Sequence, residues 1–128
     1  MRKLTLYIID DEPEVINALT ELFRPNKRYS VRGYSCAAEV RDALEHHPPH
    51  LAICDYLMPE CDGLELLREL KGRLPRLRSL LLTGEPFSPE IISGMEEGIF
   101  ELYVAKPYNA RELEETLARL AREVAKDL

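Results

Sequence analysis

Five side chains stand out in this sequence for what they could do together: Asp10 and Asp11, Asp55, Thr83 and Lys106. Each sits at or just past the end of a short apolar run. Two like charges 4 Å apart repel by about 4 kcal/mol at an effective dielectric of 20. Three close carboxylates therefore raise a pKa or demand a cation. Oxygen-only ligands with room for water suit Mg²⁺, a hard octahedral ion. Lys106 would add a second positive charge and Thr83 a neutral hydrogen bond. Such a set is what an aspartyl phosphate requires, with a carboxylate as nucleophile and a metal ion and a lysine neutralising the incoming phosphoryl group.

The elements that must bring these residues together alternate along the chain. Strands are expected at Leu4–Ile9, Tyr29–Tyr34, 51–54, 80–82 and 101–104, all short and rich in β-formers or almost wholly apolar. A first helix starts at Pro13, carries Val15, Ala18, Leu19 and Leu22 at helical spacing, and stops at Pro25-Asn26. Ser35 is expected to cap a second, with Ala37, Val40 and Leu44 inward and Pro48-Pro49 as its stop. A third spans 64–71 with Leu64, Leu67 and Leu70 as its stripe. Ser88-Pro89 opens a fourth, carrying Ile91, Ile92 and Met95. Asn109, with Glu112 at the capping-box position, opens a fifth whose stripe is Leu113, Leu117, Leu120 and Val124. Five strand–helix units predict an α/β fold: a parallel sheet, doubly wound, with helices on both faces and right-handed crossovers. Ligands of such sheets bind outside the carboxyl ends of the strands, where the five side chains would meet.

The 128 residues suffice for one domain with a real core, and 1–128 reads as a single unit without linker or repeat. Apolar residues at 45% and charged residues at 31% exclude a disordered or fibrous chain. A net charge of −6 argues against direct nucleic-acid binding through bulk charge. Cys36, Cys54 and Cys61 form neither an even set nor a CxxC pair, which fits a reducing compartment. The apolar run after Met1-Arg2-Lys3 is too short for a signal peptide, and no run approaches a membrane span. A soluble, cytoplasmic location is expected.

Asp10-Asp11, the run Asp55-Tyr56-Leu57-Met58-Pro59-Glu60-Cys61-Asp62-Gly63, Thr83-Gly84 and Lys106-Pro107 together resemble the signature of a response-regulator receiver domain. The resemblance extends from Lys3 to about Ala125, is chemotaxis-regulator-like, and implies the flavodoxin-like (βα)5 fold with strand order 2-1-3-4-5. It implies a phosphorylation-dependent switch of two-component signalling rather than an enzyme. Asp55 resembles the phosphoacceptor, loaded by a sensor histidine kinase, a phosphotransfer protein or a small phosphodonor. Asp11 resembles the direct Mg²⁺ ligand, with Asp10, Asp55 and the backbone carbonyl of Leu57 completing the metal set. Thr83 and Lys106 resemble the groups that bind phosphoryl oxygens, and Tyr103 the aromatic that moves inward when Thr83 follows the phosphoryl group. Pro59 and Gly63 take structural places, and a cis Lys106-Pro107 bond is expected. Implied partners are the kinase, an output domain or partner protein, and a phosphorylation-dependent homodimer, with the face of helix four, strand five and helix five carrying the output. Leu57 and Glu85 stand where side chains tune hydrolysis, and an apolar Leu57 cannot hydrogen-bond an attacking water, so a long-lived phosphoryl state is expected. Gly98 and Lys106 are spaced one residue wider than the common form, as in receivers attached to phosphodiesterase or kinase modules.

Other readings stand beside this one. A Mg²⁺-dependent phosphatase of the haloacid dehalogenase class also uses a strand-end Asp, Mg²⁺, Thr and Lys, but expects Asp-x-Asp after strand one and a cap insertion. A phosphorylation-independent interaction module is a third. Residue by residue, Asp10-Asp11 could be a helix N-terminus, Asp62-Gly63 a turn and helix start, and Tyr103 a strand aromatic. His46-His47-Pro48-Pro49-His50 reads as a solvated loop, Cys54 as a small buried hydrophobe, and Arg68, Lys71, Arg73, Arg76 and Arg78 as a solvated helix end.

Overall fold

The computed structural model describes residues 2–128. Its elements are β1 (Leu4–Ile9), α1 (Pro13–Phe23), β2 (Tyr29–Tyr34), α2 (Ala37–Ala43), β3 (Leu51–Asp55), α3 (Gly63–Arg73), β4 (Arg78–Thr83), α4 (Pro89–Glu96), β5 (Leu102–Ala105) and α5 (Ala110–Lys126). All strand pairs are parallel, in the order β2-β1-β3-β4-β5. This is the doubly wound architecture that the alternation predicts, with the flavodoxin-like strand order that the resemblance implies.

Period-two alternation sorts the strand residues onto two faces. Leu6, Ile8, Ile53, Leu80 and Leu82 pack with Leu19 and Phe23 of α1 and the Leu113–Leu117–Leu120–Val124 stripe of α5. Tyr7, Ile9, Ala52, Cys54 and Leu81 pack with Val40 of α2, Leu64, Leu67 and Leu70 of α3, and Ile91 of α4. Each fully buried leucine contributes roughly 1.5–3 kcal/mol. The sheet is therefore held from both sides, and only its strand ends are free for chemistry.

Helix starts follow the sequence with one exception. Asn109 accepts from the Glu112 N–H at 2.7 Å and Ser88 from the Ile91 N–H at 3.3 Å. Pro13 opens α1. Ser35 does not cap α2: Cys36 holds that place without a side-chain bond. Instead the Ser35 N–H and O–H both donate to Glu39 Oε1, at 2.6 and 2.9 Å. The Ser35 hydroxyl thus serves as a donor to a charged acceptor on the first turn of α2. Helix α2 also ends at Ala43, before Pro48-Pro49 is reached.

The wide Gly98-to-Lys106 segment has a defined path. Gly98 ends α4 with φ +79°, a left-handed conformation suited to glycine, and the Ile99 N–H returns to the Gly94 carbonyl at 3.0 Å. Glu101 then clamps the start of β5. Its Oε1 accepts from the Ser79 N–H and its Oε2 from Lys71 Nζ, both at 2.7 Å, while Lys71 also donates to the Leu77 carbonyl at 2.5 Å. Lys71 is thus a half-buried strut rather than part of a solvated basic run. Arg68, Arg73 and Arg78 are likewise ion-paired, with Glu97, Glu69 and the Glu123/Asp127 pair.

His50 departs from the solvated-loop expectation. Its ring Nδ1 accepts from the Thr5 N–H at 2.9 Å, and the His50 backbone N–H donates to the Thr5 carbonyl at 2.9 Å. Burial, aided by the Arg2 charge, lowers its pKa from the ordinary 6.5. The unfolded chain therefore takes up this proton first, and the stabilisation present above pH 6.5 is lost as the pH falls. The gap in urea midpoint between wild type and His50→Gln is expected to narrow from about pH 7.5 to about pH 5.5. A gap independent of pH would contradict this role.

Candidate functional site

The carboxyl ends of β1, β3, β4 and β5 converge on a cavity of about 360 Å³ lined by Asp11, Asp55, Thr83, Lys106 and the start of the β3–α3 loop. Asp10 lies behind it. Oxygens of Asp10, Asp11 and Asp55 all fall within 4.8 Å of one another. Asp55 and Thr83 are the last residues of their strands and are buried, as is Asp10. Lys106 follows β5, its Nζ pairs with Asp55 Oδ1, and the cis Lys106-Pro107 peptide comes directly after it. The Lys106 N–H also donates to the Thr83 carbonyl at 2.8 Å, which ties the two strand ends together. Thr83 Oγ1 accepts from the Glu85 N–H at 2.8 Å, which leaves its own proton to donate.

The electrostatics are unbalanced. Three carboxylates face one ammonium, leaving two negative charges uncompensated when all are ionised. At these separations each like pair costs at least about 3 kcal/mol at an effective dielectric of 20. Asp10 bears the strain: burial pushes its carboxyl from 3.8 up to about 6, with the Glu12 N–H opposing and the Asp55 charge adding. Its Oδ1 accepts that N–H at 2.9 Å, while Oδ2 is buried with no hydrogen-bond partner. For Lys106, burial pulls the ammonium down, but the hydrogen bond and charge of Asp55, joined by Asp10 and Glu12, hold it above its ordinary value. An all-oxygen set with an orphaned carboxylate oxygen and two excess negative charges fits a hard divalent cation.

The β3–α3 loop shapes the rim. The Gly63 N–H reaches the Tyr56 carbonyl at 2.6 Å, and residues 57 and 62 form an antiparallel bridge. A Cβ at Gly63 would stand 2.2 Å from the Asp55 carbonyl oxygen. Its smallness is therefore a matter of contact with the backbone of the central aspartate, beyond the permissive turn expected there. Asp62 caps α3 by accepting from the Glu65 N–H at 2.7 Å. Pro59 and Leu57 line the cavity, with Leu57 60% exposed. Tyr103 is not part of the cluster: it lies on edge strand β5 with its side chain at the surface. Glu12 was not singled out by the sequence, yet its N–H steadies Asp10 and its charge acts on Lys106.

Asp10→Asn keeps the acceptor for the Glu12 N–H and removes a buried charge. Because the folded pKa is raised, the wild-type carboxyl supports the fold below pH 3.8 and loses that support as the pH rises through about 6. With divalent cations chelated, Asp10→Asn is expected to be more stable by roughly 2 kcal/mol at pH 7.5. Urea unfolding measures this, and a destabilised variant would contradict it.

Comparisons with known proteins agree with the geometry. The family described as response regulator receiver domain matches residues 6–118. Response regulator Rre1 of Synechocystis is 31% identical over 119 residues, covering 91% of this chain and 51% of that protein. Transcriptional regulatory protein GltR of Pseudomonas aeruginosa is 32% identical over 118 residues, covering 91% and 47%. The chain spans about half the length, or less, of the curated relatives it matches. A receiver domain protein from Methanospirillum hungatei shares the fold with a TM-score of 0.89 at 24% identity, covering 99% of this chain and 100% of that one. No helix among the described residues is long and apolar enough to cross a membrane. The match over most of the sequence, on a fold whose strand ends gather the signature acids, threonine and lysine, makes this chain a member of the response-regulator receiver family of two-component signalling.

Proposed function

We propose that Asp55 is the phosphoacceptor of this receiver and that its phosphorylation switches the α4–β5–α5 face. The observation that carries this reading is the ion pair of Lys106 with Asp55 inside a three-aspartate cavity bordered by Thr83. An Asp55 carboxylate oxygen attacks the phosphorus of a phosphohistidine on a sensor kinase or phosphotransfer protein. The O–P bond forms, the N–P bond breaks, and the imidazole leaves with the electron pair. Lys106, already beside Asp55, turns its ammonium to a phosphoryl oxygen, and the Thr83 hydroxyl donates to another.

Asp10, Asp11, Asp55 and the Leu57 carbonyl would hold Mg²⁺, which when bound supplies charge neutralisation for the phosphoryl oxygens. The two uncompensated charges and the orphaned Asp10 oxygen support that assignment. Drawing Thr83 toward the phosphoryl group vacates space beneath β5, into which Tyr103, now at the surface, turns. The altered face is read by an output domain, a partner protein or a second copy, and the cytoplasm is where such a kinase partner would be met. The phosphatase reading has no support from the family match.

Incubation with Mg²⁺ and acetyl phosphate, followed by intact mass, is expected to give a single phosphoryl adduct that is absent in Asp55→Ala. Lys106→Ala is expected to keep the fold and lose most of the adduct. Multiple turnover of phosphate esters would point to a phosphatase, and no adduct with any donor to a phosphorylation-independent module. The apolar, exposed Leu57 offers no hydrogen bond to an attacking water. The adduct is therefore expected to last minutes or longer, and a half-life of seconds would contradict that role.

A further inference from the structure

Two of the three cysteines share a cavity that phosphoryl transfer leaves unused. Cys36 joins β2 to α2, Cys61 lies in the β3–α3 loop, and both are half-buried free thiols. They line one cavity of about 350 Å³ together with Asp11, Met58 and Pro59. Those three residues also line the acidic cavity, so the two spaces adjoin. The guanidinium of Arg41, on the helix that Cys36 begins, acts on the Cys61 thiol, and its 2.8 Å ion pair with Glu69 ties α2 to α3. Neither cysteine lies within a helix or strand: Cys36 is extended at φ −156°, ψ 165°, and Cys61 precedes the capping Asp62. Cys54 is different. It is fully buried, its Sγ–H donates to the Asp55 carbonyl at 3.4 Å, and burial raises its thiol well above 9.0.

We propose that Cys36 and Cys61 are a thiol pair that hydrogen peroxide converts into an intramolecular disulfide beside Asp11. The Cys36 thiolate attacks one peroxide oxygen, the O–O bond breaks, and the departing hydroxide takes up the thiol's proton as water. The Cys61 sulfur then displaces the hydroxyl of the Cys36 sulfenic acid, which leaves with the Cys61 proton as a second water. Two thiols lose two electrons and two protons, and peroxide is reduced to two waters. Burial raises the Cys61 thiol, which suits the resolving rather than the attacking partner. The bond fixes the loop against α2 at a Cα separation of roughly 4.4–6.8 Å. Residues 57–59 at the mouth of the acidic cavity are thereby fixed too. Resting on the Asp55 reading, the disulfide slows phosphorylation.

The test treats the reduced protein with peroxide, alkylates free thiols, and maps peptides by mass without reduction. A Cys36–Cys61 crosslink is expected, with Cys54 left as a thiol, reversed by dithiothreitol and absent in Cys36→Ser and Cys61→Ser. A link through Cys54, a link between chains, or sulfinic acid without a crosslink would overturn the pair. The oxidised protein is expected to take phosphate from acetyl phosphate roughly tenfold more slowly. Dithiothreitol restores the rate, and Cys36→Ser is insensitive to peroxide. A crosslinked protein with an unchanged rate would overturn the coupling. If the reduced protein accepts no phosphoryl group, the Asp55 reading fails while the crosslink map still decides the thiol pair.

Discussion

The charge imbalance at the strand ends is the constraint around which the rest of this molecule is arranged. Three carboxylates gather within 4.8 Å, and one lysine answers them. A fold selected for stability alone would separate these acids, since each close pair costs several kcal/mol. Here the repulsion is held in place by a core buried on both faces of the sheet, and Asp10 is kept dry with one oxygen unpartnered. A site that is expensive to fold and shaped to accept positive charge is one that a divalent cation and a phosphoryl group can complete.

The scaffold supplies that tension through ordinary devices. Parallel pairing puts four strand ends on one edge, so residues from distant parts of the chain meet without any loop having to place them. Gly63 lets the β3–α3 loop lie against the Asp55 backbone, where any Cβ would collide. At the opposite end of β5, Glu101 clamps the strand to Ser79 and Lys71, so Lys106 hangs from an edge strand anchored at its start. The surface half of β5 carries Tyr103 outward.

Much of this was legible in the sequence because two periodicities and the capping residues do most of the architectural work. The apolar runs marked all five strands, and Pro13, Ser88-Pro89 and Asn109 marked helix starts that the structure keeps. The signature acids, Thr83 and Lys106 stood at strand ends, so topology alone brought them together. What could not be read came from contacts between residues far apart in sequence. His50 looks like part of a polar loop until Thr5 lies beside it. Lys71 looks like one basic residue among five until Glu101 folds back to it. Ser35 has the right type for a cap, but Cys36 takes that place and Ser35 donates to Glu39 from outside the helix. The contact that demands Gly63, and the cavity shared by Cys36 and Cys61, appear only once two loops are adjacent.

The claim that the acidic cluster is a frustrated site completed by a divalent cation is tested most directly by thermal unfolding with and without Mg²⁺ at constant ionic strength. Mg²⁺ at about ten times its Kd should add about 1.4 kcal/mol to the stability of the wild type. The accompanying rise in Tm should be absent in Asp11→Asn. An unfolding transition in the wild type that Mg²⁺ does not move would contradict the account.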